Sequence, residues 1–300
     1  MLLEELVDLL NPRPGQVAVD CTFGFGGHAA EVAARLGPTG LLVGIDRDPL
    51  AERRFGELNL PCRGRFLRAP FSAGLAQLLE EGLEADLVYF DLGLSSLQLE
   101  AERGFSYTQD GPLDMRMDPS QPLTAAEIVN TYPQRELADL LRRFGEERYA
   151  SRIAQAIVTS RPLHRTGELA SVVAAAIPAP ARFGGGHPAK RTFQALRIAV
   201  NRELEELERA LPLAWRLLRP GGRAAAISFH SLEDRAVKRF FAGLAKGCTC
   251  PPELPVCICG RKPEARILTK RAVVAGSAEL ERNPRAASAK LRAAEKVGGA

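Results

Sequence analysis

Along the first ninety residues, short runs that are apolar at nearly every position alternate with stretches whose apolar residues recur every three or four positions. Gln16-Val17-Ala18-Val19-Asp20, Leu41-Leu42-Val43-Gly44-Ile45-Asp46, a segment near Arg63 to Leu67, and Ala85-Asp86-Leu87-Val88-Tyr89-Phe90-Asp91 read as four strands. None shows the apolar–polar alternation of a strand with one wet face. Strands apolar on both sides, with helices between them, predict a parallel sheet covered on both faces. Helices are expected from Leu2 to Leu10, stopped by Asn11-Pro12, and from His28 to Leu36, broken by Gly37-Pro38-Thr39-Gly40.

The pattern then changes. Residues 103 to about 200 carry helical periodicity and few strand signals. Tyr149, Ile153 and Ile157 share one stripe. Leu169, Val172, Val173, Ala176 and Ile177 share another, opened by Thr166 as N-cap and stopped by Pro178. A third helix is expected to carry Phe193, Leu196, Val200, Leu204, Leu207 and Leu211. Strands return at Arg223 to Phe229, after the turn Arg219-Pro220-Gly221-Gly222, and at Arg266 to Lys270. The fold expected is α/β, a Rossmann-like sheet domain of residues 1–102 and 202–300, interrupted by a helical insertion over 103–201.

Composition narrows the class. The chain has 300 residues, 46% hydrophobic and 25% charged, as in ordinary soluble domains. No apolar run approaches a membrane span, and Met1-Leu2-Leu3-Glu4-Glu5 has acids where a signal peptide would be basic, so a cytoplasmic protein is expected. The net charge of +4 is uneven: from Pro255 onward ten Lys/Arg face four acids. A basic, Ala-rich tail on a near-neutral body suits a polyanion, and a solvated surface tail fits as well.

Candidate chemistry sits where strands end. Asp20-Cys21-Thr22-Phe23-Gly24-Phe25-Gly26-Gly27-His28 joins the first strand to the first helix, and its glycines let the backbone approach a ligand near the helix N-terminus. Asp46, at the end of the second strand, can accept the hydroxyls of an adenosine ribose. Asp20 would repel a pyrophosphate and suits a sulfonium- and ammonium-bearing cofactor, although it serves equally as a cap for the turn. Asp91, ending the fourth strand, can accept a hydrogen bond from an amine and steer its lone pair toward a methyl donor, or simply cap the next turn. A nicotinamide-dependent oxidoreductase, a DNA amino-methyltransferase and a non-catalytic RNA-binding module remain open on these residues alone.

With those residues in view, the chain resembles the ribosomal RNA small subunit methyltransferase H family. The resemblance rests on Thr22 to His28, Ile45-Asp46-Arg47-Asp48-Pro49, Asp91-Leu92-Gly93-Leu94-Ser95-Ser96, Arg103 to Tyr107, Gly111 to Asp118, His187 to Ile198, Ile227 to Arg235 and Asn283-Pro284-Arg285-Ala286, in that order. It implies a class I methyltransferase fold with S-adenosylmethionine as cofactor. The implied substrate is the exocyclic N4 amine of a cytosine in the decoding region of small-subunit (16S) ribosomal RNA, within the assembled 30S subunit. Carried over by position, it implies cofactor contacts from Gly26, Gly27, His28, Asp46, Phe71, Asp91 and Gln98, with Asp91 catalytic. From the residues alone, Phe71 reads as a core aromatic, Gln98 as a surface helix residue and His28 as a polar residue of a first helical turn. Family members usually carry a longer segment, with a His and a Pro-Val, ahead of the Leu-Leu-Glu-Glu stretch.

Several groups keep two readings. Asp114 and Arg116 either shape a pocket for the target base or form a structural ion pair. Lys190 and Arg191, with Arg197 further along, position phosphate or cover a solvated helix end. Phe229 is placed to stack on an unstacked base, and His230 to carry off a proton or to cap the next turn. Cys248, Cys250, Cys257 and Cys259 form two C-x-C pairs, tight spacing for one tetrahedral ion. Reduced thiols packing a loop, with no metal, are expected.

Overall fold

The computed structural model describes residues 1–94, 103–182, 186–248, 250, 251, 254, 256 and 258–298. In chain order the elements begin α1 (Leu3–Leu10), β1 (Val17–Asp20), α2 (Gly27–Leu36), β2 (Leu41–Asp46), α3 (Pro49–Glu57), β3 (Arg63–Arg68), α4 (Phe71–Glu80) and β4 (Ala85–Asp91). A helical run follows: α5 (Ala125–Thr131), α6 (Gln134–Gly145), α7 (Ala150–Thr159), α8 (Thr166–Ala176), α9 (Ala179–Arg182) and α10 (Lys190–Asn201). The chain closes with α11 (Glu203–Leu217), β5 (Leu218–Ser228), α12 (Ser231–Ala245), β6 (Ala265–Ile267), α13 (Ser277–Arg282) and β7 (Lys290–Lys296). Two compact units result, one of Met1–Gly93 with Glu205–Ala300, the other of Leu94–Leu204. No helix among the described residues is long and apolar enough to cross a membrane.

The first unit is α/β, as the alternation of strands and helices predicts. Its seven-stranded sheet, counted among the described residues, runs β3-β2-β1-β4-β5-β7-β6. β1 pairs in parallel with β2 and β4, and β2 with β3 and β4 with β5 likewise, whereas β7 is antiparallel to β5 and β6. The missing polar alternation has a direct cause. Neighbouring positions such as Ala18 and Val19, Leu42 and Val43, or Leu87 and Val88 enter two different cores. Leu6, Leu10, Val32 and Leu36 of α1 and α2 cover one face; Leu75, Leu78, Leu211, Trp215 and Phe241 cover the other. The winding direction reverses between β1 and β4, and open sheets of this kind take ligands beyond the carboxyl ends of the strands at such a point.

The carboxyl-terminal stretch departs from its expectation. It is not a free basic tail: residues 290–296 form β7, inserted between β5 and β6. Leu291, Ala293 and Ala294 are buried, and such small side chains disguise a strand as low-complexity sequence. Several of its cations are engaged within the same unit. Arg292 donates to Asp234 at 2.6 and 3.3 Å, Arg266 and Arg223 meet Glu295 at 2.7 and 3.1 Å, and Lys296 Nζ donates to the carbonyls of Trp215 and Leu218. Part of the apparent polyanion footprint is thus internal compensation. β6 is also shorter than expected, ending at Ile267.

The second unit has its own core, in which Leu137, Leu141, Ile153, Ile157, Leu169, Val173, Phe193 and Leu196 are buried together. Two sequence expectations need correction there. The single helix expected through Phe193 to Leu211 is broken at Arg202, whose φ of 51° is left-handed and whose N–H donates to Ile198. Thr166 is the first residue of α8, not its cap. Its hydroxyl accepts from Gly111 N–H and donates to the Gln109 carbonyl, while Glu168 takes the free N–H groups of His164 and Arg165. Asn201 ties this unit's loops: its Nδ2 donates to Met115 and Arg197 carbonyls at 2.8 and 2.9 Å, and its Oδ1 accepts from Met117 N–H at 2.8 Å. Asp114 and Arg116 form a two-pronged ion pair at 2.7–2.8 Å, and Arg116 also donates to the carbonyls of Pro119 and Gln121. Arg197 is committed to Glu203 at 2.7 and 2.8 Å, both side chains largely shielded, which removes it from any phosphate-binding set.

Candidate active site

Three aspartates mark the carboxyl ends of β1, β2 and β4. The turn after β1 has Gly24 and Gly26 at φ of 51° and 76°, a region that L side chains rarely occupy. A Cβ on Gly26 would lie 2.6 Å from Leu58 and 2.7 Å from Phe23, so neither the φ nor the packing admits a larger residue. A Cβ on Gly27 would meet nothing within 4 Å. The first turn of α2 therefore has open space beside Gly27, and the N–H groups of a first helical turn have no acceptor within the helix.

Asp46 joins two of these turns. Its Oδ2 accepts from Gly24 N–H at 2.8 Å and its Oδ1 from Asp48 N–H at 2.9 Å. Burial raises its pKa, opposed by those two donors. Each oxygen keeps a further lone pair free to accept a hydroxyl donor. Asp48 caps α3 through Leu50 N–H at 3.0 Å, just before Pro49 at the helix start.

Asp20 is fully buried, and burial pushes its carboxyl up to about 7, opposed chiefly by the Thr22 N–H it accepts at 3.0 Å. Asp91 is anchored through its own N–H, which donates to Thr22 Oγ1 at 2.6 Å. Its Oδ2 lies 3.3 Å from His28 Nδ1, and its Oδ1 is buried without a hydrogen-bond partner among the described residues. His28 Nε2 is 2.9 Å from the Met1 carbonyl. Burial works against a charged His28, yet the hydrogen bond and charge of Asp91 raise its pKa above the usual value.

The structure thus brings Gly26, Gly27, His28, Asp46 and Asp91 to one edge of the sheet. Phe71 opens α4, just past the carboxyl end of β3, and packs edge-on against Phe90 with centroids 5.7 Å apart. It is half-buried, which satisfies its reading as a core aromatic and leaves part of the ring available. Gln98 lies outside the described residues. Phe229 follows β5 and lies against Gly93: a Cβ on that glycine would come within 3.0 Å of its ring. His230 caps α12, with Glu233 N–H 3.4 Å from its Nδ1, and Glu233 Oε2 accepts the N–H groups of Phe229 and His230. A capping role is what its contacts support.

Thr22 was not singled out from the sequence, although its hydroxyl positions Asp91. The available signal was a small hydroxyl residue directly after Asp20 and Cys21 in a turn that must also hold the neighbouring strand end. A surface cleft lined by Leu10, Arg13, Gln16, Asp86, Gly221 and Arg223 lies at the opposite, amino-terminal ends of the strands and contains none of these groups.

Comparison with known proteins agrees on kinship over the whole length. The chain is 53% identical over 305 residues to ribosomal RNA small subunit methyltransferase H of Heliobacterium modesticaldum, covering 99% of this chain and 97% of that one. It is 53% identical to the protein of that name from Symbiobacterium thermophilum, covering 99% and 96%, and 52% identical to that from Geobacter sulfurreducens, covering 98% and 96%. Residues 1–297 match the description of a single family, and the chain belongs to it: the MraW methylase family.

Proposed function

We propose that this protein transfers a methyl group from S-adenosylmethionine to the exocyclic N4 amine of a cytosine in the decoding region of small-subunit ribosomal RNA. The observation that carries the reading is Asp91: a half-buried carboxylate at the switch point of the sheet, held on one oxygen, with its other, buried oxygen lacking a partner among the described residues. The residues present fit the donor. Asp46 has lone pairs for the ribose hydroxyls, Gly26 makes the tight left-handed turn, Gly27 leaves room beside the α2 N-terminus, and the acids Asp20 and Asp91 favour a positively charged group. Phe71 would lie against the adenine, and Gln98 completes the proposed set.

When bound, S-adenosylmethionine supplies a methyl group on a sulfonium, an electrophile that needs no further activation. The chain's task lies with the nucleophile. Cytosine's amine is conjugated with its ring, so its lone pair must be localised and aimed. Asp91 Oδ1 accepts a hydrogen bond from the amine, orients the lone pair, and receives the proton that the nitrogen sheds as the nitrogen–carbon bond forms. His28 on Oδ2 and the Asp91 N–H on Thr22 hold the carboxylate in place, so its alignment costs no reorganisation during reaction. Phe229 offers an aromatic ring to the extruded base, since a base must leave its stack to be modified. The helical unit, with exposed Lys190 and Arg191, is proposed to face RNA, and the assembled 30S subunit in the cytoplasm is the proposed substrate.

The test is methyl transfer from labelled donor to 30S subunits purified from a strain lacking the enzyme, followed by nucleoside analysis. N4-methylated cytidine is expected. Label in another nucleoside, or preferred methylation of competing DNA, would overturn the assignment.

A further inference from the structure

Between α12 and β6 lies a segment that burial does not hold in place. No described residue from 246 to 264 is buried, and Leu254, Val256 and Ile258 are exposed at 41%, 71% and 79%. Its base is pinned by Glu264 N–H to the Leu244 carbonyl at 2.8 Å and Arg261 to the Gly243 carbonyl at 3.2 Å. Within this exposed segment the sulfurs of Cys248, Cys250 and Cys259 converge, all within 4.8 Å of one another.

The geometry points to a metal site, and we propose that Cys248, Cys250 and Cys259 bind one thiophilic divalent cation of the zinc class, which staples this loop. Cys248 and Cys259 sulfurs are 3.8 Å apart. A disulfide would bring them to about 2.05 Å, whereas a tetrahedral ion with zinc–sulfur bonds near 2.3 Å separates two thiolates by about 3.8 Å. The Cys250 N–H points at Cys248 Sγ at 3.4 Å, a contact that stabilises a thiolate. The sulfurs of Cys248 and Cys250 thus reach one centre across a one-residue spacing, which the sequence pattern alone marks as tight. An all-sulfur set selects soft or borderline ions over magnesium or calcium. On binding, each thiol gives its proton to solvent as its sulfur–metal bond forms, so uptake strengthens as pH rises. Cys257 lies outside the described residues and is not part of the proposed set.

The full-length protein, purified under reducing conditions without chelator, should contain about one zinc per chain by elemental analysis. Metal-stripped protein titrated with cobalt should develop the sulfur-to-cobalt charge-transfer absorption of a tetrahedral thiolate site, and zinc should abolish it. Cys248→Ser and Cys259→Ser should each reduce bound metal at least about tenfold, whereas Cys62→Ser should leave it unchanged. Stripping should also expose the loop to proteolysis. Protein that neither retains zinc nor shows the cobalt band, or that carries a Cys248–Cys259 disulfide instead, would overturn the proposal. Because the cobalt titration uses the unmutated chain, poor folding of a serine variant cannot obscure the outcome.

Discussion

The carboxylates at the edge of the sheet and the ion pair at the start of the helical unit have the same chemical ingredients and opposite arrangements. Asp114 has both oxygens filled by Arg116, and Arg116 spends its remaining donors on two carbonyls. Among the described residues Asp91 keeps one buried oxygen without a partner, and Asp20 is buried deeply enough to hold its proton near neutrality. A folded chain normally satisfies its buried polar groups. Complete contacts at Asp114 suit a residue that serves the fold; the open oxygen at the end of β4 suits the ligand role proposed for Asp91.

The largest effect should come from closing that open valence. Asp91→Asn keeps the shape but replaces an anionic acceptor with an amide. Methyl transfer to 30S subunits should fall by about 10²–10⁴-fold, the usual share of a positioned proton acceptor. Donor affinity, by calorimetry, should change far less. Retention of near-normal turnover would break the contrast, since the unpartnered oxygen would then have no chemical purpose.

Asp20 offers a test of opposite sign. Its folded pKa, about 7, lies above the ordinary 3.8, so the folded chain binds the proton more tightly than the unfolded one. Its contribution is fully present below about pH 4 and is lost as pH rises through 7, a penalty of up to about 4 kcal/mol. Asp20→Asn should therefore raise stability in urea unfolding at pH 8 and change it little near pH 4, while weakening donor binding. A variant equally destabilised at both pH values would show that Asp20 serves packing alone.

The helical unit should answer in stability instead. Asn201→Ala leaves the buried Met115 carbonyl and Met117 N–H without their side-chain partner, for a loss of about 2–4 kcal/mol. Methylation by the fraction still folded should be unchanged, as a comparison of turnover with urea midpoint would reveal.

Sequence patterning makes the sheet unit legible because its inner strands β1, β2 and β4 bury both faces, a requirement that writes itself as nearly unbroken apolar runs. Its acids are equally legible, for each ends such a run. β7 escaped because Ala293 and Ala294 carry little hydrophobic signal and its cations find partners far along the chain. The break at Arg202 escaped because one left-handed residue leaves the apolar stripe intact on either side. The open oxygen of Asp91 and the filled ones of Asp114 look identical in sequence, because satisfaction is a property of three-dimensional neighbours.

The smallest effect is expected at that filled site. The Arg116 hydrogen bond and charge hold the Asp114 carboxyl below its usual range against the opposing pull of partial burial. Stability from the pair is thus present above the ordinary carboxylate pKa and fades as pH falls through the depressed one. Both side chains remain partly exposed, so solvent screening limits the loss in Asp114→Asn to less than about 1 kcal/mol at pH 7. Urea midpoints for variant and unmutated protein should converge as pH drops below 4, and methylation should stay within about threefold, little more than the ~0.6 kcal/mol of thermal energy. If Asp114→Asn instead removed methylation from a fully folded protein, the pair would belong to the target-base pocket, and complete hydrogen bonding would no longer separate residues that hold the fold from residues that act.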